Sequence, residues 1–194
     1  MHSRPRLWAL ALALSFAAAA PPTLSAQECF VRGNREEAAN RPSPLRTTTA
    51  QVGDQTVLVC YGAPSARGRT MIGGQLQPYG QPWRFGANEA TSIHLPFAAE
   101  IAGVRVEPGS YSLWVIPGES EWEVHVNRIV ERWGIPLDDA VVSADVGHGT
   151  VPVTRADEPV ETLTMELEPH GGGHAELLVS WEHNRIRIPI HGSM

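Results

Sequence analysis

The 194-residue chain holds fifteen arginines, no lysine and twenty-one acids, for a formal net charge of −6, and 42% of it is hydrophobic. A surface of that sign repels nucleic acid and anionic membrane, so neither is expected as a partner. The length suits one domain with a sizeable core.

Arg4 and Arg6 precede an apolar run from Leu7 to Ala20, broken only by Ser15 and followed by Pro21 and Pro22. This is the pattern of a secretory signal peptide over residues 1–26, with cleavage after Ala26. The run is shorter than the ~20 residues that span a bilayer, and no later segment approaches that length. The expected location is therefore periplasmic or secreted. Glu28 stands directly before Cys29 where a lipid-anchored start needs a small residue, which argues against a lipoprotein. Without residues 1–26, thirteen arginines face twenty-one acids, a net charge of −8. In an oxidising compartment Cys29 and Cys60 are expected to pair. That bond closes a loop of about thirty residues, worth ~3–4 kcal/mol in the chain-entropy model.

Residues 27–46 are polar and poor in apolar positions, and read as an arm or linker ahead of a single domain, 47–194. From there the pattern is β: runs at 47–52 and 55–61 flank Gly53-Asp54, a two-residue hairpin loop. Further runs follow at 91–98, 100–106, 111–116, 121–128, 151–155, 160–168, 175–181 and 185–190. In Glu121 to Asn127 the apolar set Trp122, Val124 and Val126 alternates with Glu121, Glu123, His125 and Asn127, giving one buried and one wet face. About ten such strands suggest an antiparallel β-sandwich or flattened barrel. Only Ile129 to Ala140 has room for a short helix, so at most one is expected.

Between the second and third runs lies the chain's most unusual stretch, Tyr61 to Thr91, with six glycines, three prolines, three arginines, four aromatics and one acid, Glu89. That composition implies irregular backbone, and a long ordered loop in a compact domain is usually functional. Tyr61-Gly62, Arg67-Gly68-Arg69, Ile72-Gly73-Gly74, Pro78-Tyr79-Gly80, Trp83-Arg84 and Gly86 to Thr91 together resemble the bacterial family catalogued as domain of unknown function 2911. Pro108-Gly109-Ser110-Tyr111-Ser112-Leu113, Ile116-Pro117-Gly118, Glu121-Trp122, Asn127, Trp181-Glu182 and Ile188-Pro189-Ile190 extend the resemblance over most of 42–190. It implies an exported β-rich domain characterised by this loop, and no activity. Relatives often carry Ser-Pro-His near the domain start, where this chain has Ser43-Pro44-Leu45.

Within the loop, Glu89 can pair with one of Arg67, Arg69 and Arg84 and leave the others for a ligand carboxylate or phosphate. Trp83, Phe85 and Tyr79 would wall such a pocket or present a platform to a sugar ring. The bland alternative is a buried Arg84–Glu89 pair that holds loop to sheet, with Trp83 as a core plug. His94 and His125 read as solvated side chains. His170 and His174 are separated by three glycines, without helical geometry or a third ligand at diagnostic spacing, so no metal site is expected there. His148 or His183 beside Glu89 would support acid–base chemistry, and Glu121 or Glu182 paired with Glu89 a glycosidase. No nucleophile elbow, zinc-protease helix, Cys-x-x-Cys or dinucleotide fingerprint occurs, and no cofactor is expected. Three functions remain open: a small polar or anionic ligand-binding domain using Arg67, Arg69, Arg84, Glu89, Trp83 and Tyr79; a hydrolase built on Glu89 and a histidine; and a structural or protein-interaction domain of the envelope.

Overall fold

In the computed structural model, residues 28–193 are described; the expected signal peptide, 1–26, lies outside them. Short β-branched runs separated by turn residues become nine antiparallel strands. They are β1 (Leu45–Val52), β2 (Gln55–Gly62), β3 (Thr91–Leu95), β4 (Ala99–Ile101), β5 (Val104–Val106), β6 (Gly109–Pro117), β7 (Glu121–Asn127), β8 (Asp145–Gly171) and β9 (His174–Gly192). They form one open sheet in the order β1-β2-β3-β6-β7-β8-β9-β4-β5. The fold is all-β, as expected of a sandwich or flattened barrel.

The four C-terminal runs merge into two long strands. β8 pairs with β7 through Pro152 and with β9 from Val153 onward, with register shifts between Arg155 and Val160 and between Val160 and Thr164. Such bulges bend a strand, so one element serves both halves of the sheet. The single run expected at 100–106 is instead the hairpin β4–β5, turning at Ala102-Gly103 and adding to β9. The core gathers the inward faces: Val57, Val59, Ile93, Leu113, Val115, Val124, Val126, Leu177 and Ile188 are wholly buried.

Among the described residues two short helices occur rather than one. α1 (Arg35–Ala39) falls in the expected arm and is capped by Asn34, whose side chain accepts from the Glu37 backbone N–H. α2 (Asp139–Val142) is capped in the same way by Asp138. Residues 28–44 are fastened to the domain: Cys29 is disulfide-bonded to Cys60 of β2 and α1 packs against β1. Among the described residues, no helix is long and apolar enough to cross a membrane.

Candidate functional site

The loop from Ala63 to Ala90 leaves β2, crosses the end of the sheet and returns into β3. Its path is fixed by backbone bridges. Trp83 exchanges both N–H···O bonds with Val115 of β6 at 2.7 and 2.9 Å, Gly80 N–H donates to the Pro117 carbonyl, and Ser65 pairs with Thr162 of β8. The Glu182 carboxylate accepts the Met71 and Ile72 N–H groups, each at 2.9 Å. At the base of the loop a Cβ on Gly62 would stand 1.9 Å from the Ala87 carbonyl oxygen, so only glycine permits the return strand to lie that close.

These constraints seat aromatic side chains over the open end of the core. Trp83 is 8% exposed, stacks on Trp181 with ring centroids 5.4 Å apart, and meets Phe85 and Trp122 edge-on. Trp83 is thus largely a plug, and one edge of it floors a cleft of about 350 Å³. Gln77, Arg84, Met71, Ile135 and Trp181 complete the lining that matters chemically. Phe85 and Asn88 hold positive φ of 57° and 64°. For a bulky residue such as Phe85 this backbone costs about 1–3 kcal/mol, and such strain collects where a structure must aim a side chain.

Arg84 and Glu89 do not pair. The Glu89 carboxylate receives Arg41 Nη1 at 2.8 Å on both oxygens and the Arg32 backbone N–H at 2.9 Å. Burial opposes its ionisation, but the bonds from Arg41 and Arg32 and from its own backbone N–H outweigh that and hold the carboxyl below its usual range. Arg41 also donates to the Arg32 carbonyl and lies over the Trp133 ring at 5.6 Å. The partner thus comes from the N-terminal segment, not from the loop. No hydrogen bond links Glu89 to a histidine among the described residues.

Arg84 is placed otherwise. Its stem packs on Gly134, where an added Cβ would meet Arg84 Cδ at 2.6 Å, and its Nε donates to the Gly86 carbonyl at 3.2 Å. No carboxylate pairs with it among the described residues. Burial alone pushes its pKa below the usual guanidinium value.

The other expected site residues spread out. Arg69 turns back onto the Ala66 and Ser65 carbonyls and rims a neighbouring depression with Glu182 and His183. Exposed Arg67 reaches the Pro42 carbonyl at 3.4 Å. The Tyr79 hydroxyl accepts from Arg155 at 3.0 Å, away from Arg84. His94 and His125 are buried rather than solvated: His94 lies between Ser110 and Ser92, and burial lowers its pKa. His170 and His174 diverge, one to Glu176 and the other edge-on to His191. Gln77, Trp181 and Arg41 were missed by sequence reasoning. Trp181 carried a family signature but no sign of stacking on Trp83, and Arg41 sits in the stretch read as an arm.

A family model described as "Protein of unknown function (DUF2911)" matches residues 43–190. The chain belongs to this family. No curated protein and no solved structure matches it. The DUF2911 match opens at Ser43, itself part of the cleft wall, and includes Arg84, Glu89 and Trp181. It leaves out Cys29, Arg32 and Arg41, so one side of the Glu89 contact lies ahead of the matched segment.

Proposed function

We propose that this DUF2911 protein is an exported binding domain for a small anionic molecule, held through its carboxylate or phosphate by Arg84 in the cleft floored by Trp83 and Trp181. One observation carries the reading: a partly desolvated guanidinium lines a cleft of about 350 Å³ and has no acid to neutralise it among the described residues. Taking a cation out of water is costly unless an anion compensates, and a planar guanidinium fits carboxylate and phosphate oxygens two at a time. Gln77 also lines the cleft, its amide nitrogen donating to the Gln81 carbonyl, and the indoles supply the apolar walls usual for ligand sites. Export rests on the N-terminal sequence and on the Cys29–Cys60 bond, which suits an oxidising compartment. Glu89 stays outside the binding set, because its oxygens serve Arg41 and Arg32. A hydrolase built on Glu89 is the weaker reading, because both oxygens of that carboxylate already accept from Arg41.

Thermal unfolding measured against inorganic phosphate, a monocarboxylate, a dicarboxylate and a neutral sugar tests the reading. A matching anion at a hundred times its Kd adds about 2.7 kcal/mol, roughly 5–10 °C in a domain of this size. Arg84→Met abolishes the shift. The absence of any shift across the panel, or a shift that persists in Arg84→Met, overturns the proposal.

A further inference from the structure

A second cluster lies on the outer face of the sheet and owes nothing to the loop. Glu123 and His125 are two residues apart on β7 and so share a face, and His148 of β8 stands directly opposite His125 in the strand register. One donor atom from each of these three side chains lies within 4.8 Å of the others. His125 Nε2 is 2.6 Å from Glu123 Oε1, and His148 Nε2 is 3.9 Å from Glu123 Oε2. Tetrahedral zinc with bonds of ~2.0–2.1 Å needs its donors about 3.3 Å apart, and the two observed spacings straddle that value.

The surroundings of His125 select this cluster over an ordinary polar contact. Its Nδ1 faces Asp145 Oδ2 at 2.9 Å. The other oxygen of Asp145 is itself held by Trp114 Nε1 at 3.0 Å and Asn127 Nδ2 at 2.6 Å, and the Trp114 ring stacks on the imidazole at 3.6 Å. A carboxylate on one imidazole nitrogen, itself fixed by further bonds, is how proteins orient a histidine that ligates metal through the other nitrogen. The backbone that carries His148 is fixed as well: it lies between Gly147 and Gly149, and a Cβ on Gly149 would stand 1.7 Å from the Ala102 carbonyl oxygen, so β8 is pressed onto the β4–β5 turn. The side chains grade outward from His125 at 9% exposed through Glu123 at 36% to His148 at 58%, leaving a solvent side for a water.

The charge balance also distinguishes this cluster from the other gathering of potential ligands, Glu168, His170 and Glu176. There Arg187 donates to both carboxylates and already supplies the cation. At Glu123 and Asp145 no arginine donates to either acid among the described residues.

We infer that Glu123, His125 and His148 bind a divalent transition-metal ion of the zinc type, with Asp145 as the positioning residue and the fourth coordination position open to water. Two imidazoles and one carboxylate suit zinc and its neighbours better than calcium or magnesium, which prefer all-oxygen sets. The inference is independent of the Arg84 cleft.

Titrating the untagged, metal-stripped chain with zinc in competition with a chromogenic chelator tests it, with cobalt(II) absorption as a report on ligand geometry. One equivalent binds, and cobalt gives the intense visible bands of a four-coordinate site. His148→Ala, which removes an exposed side chain and leaves the fold intact, weakens binding at least tenfold, as does Glu123→Gln. Asp145→Asn weakens it by about 10–100-fold, the usual cost of losing such a partner. His170→Ala leaves binding unchanged. Failure to bind a stoichiometric ion, parental affinity in His148→Ala, or loss of binding in His170→Ala overturns the inference.

Discussion

Glu89 and Arg84 stand five residues apart in one loop and are both withdrawn from solvent, yet their electrostatic situations are opposite. Glu89 is 4% exposed and compensated by Arg41 and the Arg32 N–H, within a clasp that also ties Cys29 to Cys60. Arg84 borders a cleft and among the described residues finds only the Gly86 carbonyl. Burial of a charge is therefore not one signal but two. A buried charge whose partners are all protein groups reports on architecture, and one that faces a cavity without an opposite charge is the ground for proposing a ligand. The difference is testable, because the clasp should govern stability and the cleft should govern binding.

The largest effect is expected from opening the clasp at its covalent end. Cys29 and Cys60 are 31 residues apart in sequence, and losing their bond as Cys29→Ser with Cys60→Ser costs about 3–4 kcal/mol in the chain-entropy model. The urea midpoint should fall, while affinity for the anion proposed for the Arg84 cleft should stay near that of the parent. A matching loss of affinity would merge the two regions into one. Next comes Arg41→Met, which leaves the Glu89 carboxylate buried with backbone N–H donors alone and no cation. Breaking a buried pair from one side costs about 3–5 kcal/mol, and the low end applies because 21% of the Arg41 side chain reaches solvent. Urea unfolding measures it, and a change under half a kcal/mol would remove Glu89 from the architecture.

The all-β class and most strand positions were legible because period-two alternation and turn residues are local signals. In Glu121 to Asn127 the alternation found the core face correctly through Trp122, Val124 and Val126. It held for Glu121, which is exposed, but misread His125 and Asn127 on the same face as wet. Trp114, Asp145 and the segment around α2 cover that face, so His125 and Asn127 are buried, and only tertiary packing decides this. The loop was recognisable from its glycines and arginines, but charge pairing within it was not. Arg41 reaches Glu89 across 48 residues, a separation no local pattern encodes. The Asn34 to Glu37 cap of α1 was present in the sequence, and the polar composition around it hid a five-residue helix. The bends that fuse four expected strands into β8 and β9 likewise come from bulges, which leave alternation intact on either side.

Acid should lower stability in two steps. His94 and Glu89 both have folded-state pKa values below their ordinary ones, His94 through burial and Glu89 through its bonds to Arg41 and Arg32, which outweigh burial. The unfolded chain therefore binds more protons in each window, and stability falls as pH drops. The first decline begins near the ordinary imidazole value of about 6.5 and the second near the ordinary carboxyl value of about 4.3, each ending at the lower folded value. Urea midpoints taken from pH 8 to 3 should show both, with His94→Gln flattening the first and Glu89→Gln the second. A midpoint that rises on acidification through either window would contradict the environment described for that residue.

The smallest expected change in stability is also the one that separates the two regions most sharply. Arg84→Met keeps an unbranched stem against Gly134 and removes a charge that burial disfavours and no acid compensates. If the guanidinium were architectural, as Arg41 is, its loss would cost as much as Arg41→Met. In a ligand site the free protein bears the cost of desolvating the cation and recovers it only when an anion arrives, so the variant should unfold within about 0.5 kcal/mol of the parent or slightly above it. The same substitution should erase anion-dependent stabilisation altogether. Two midpoints, with and without saturating anion, therefore assign Arg84: near-equality of parent and variant without anion, joined to loss of the difference with it, is the behaviour of a binding group. A destabilisation of about 3 kcal/mol without anion would place Arg84 with Glu89 in the architecture of the loop.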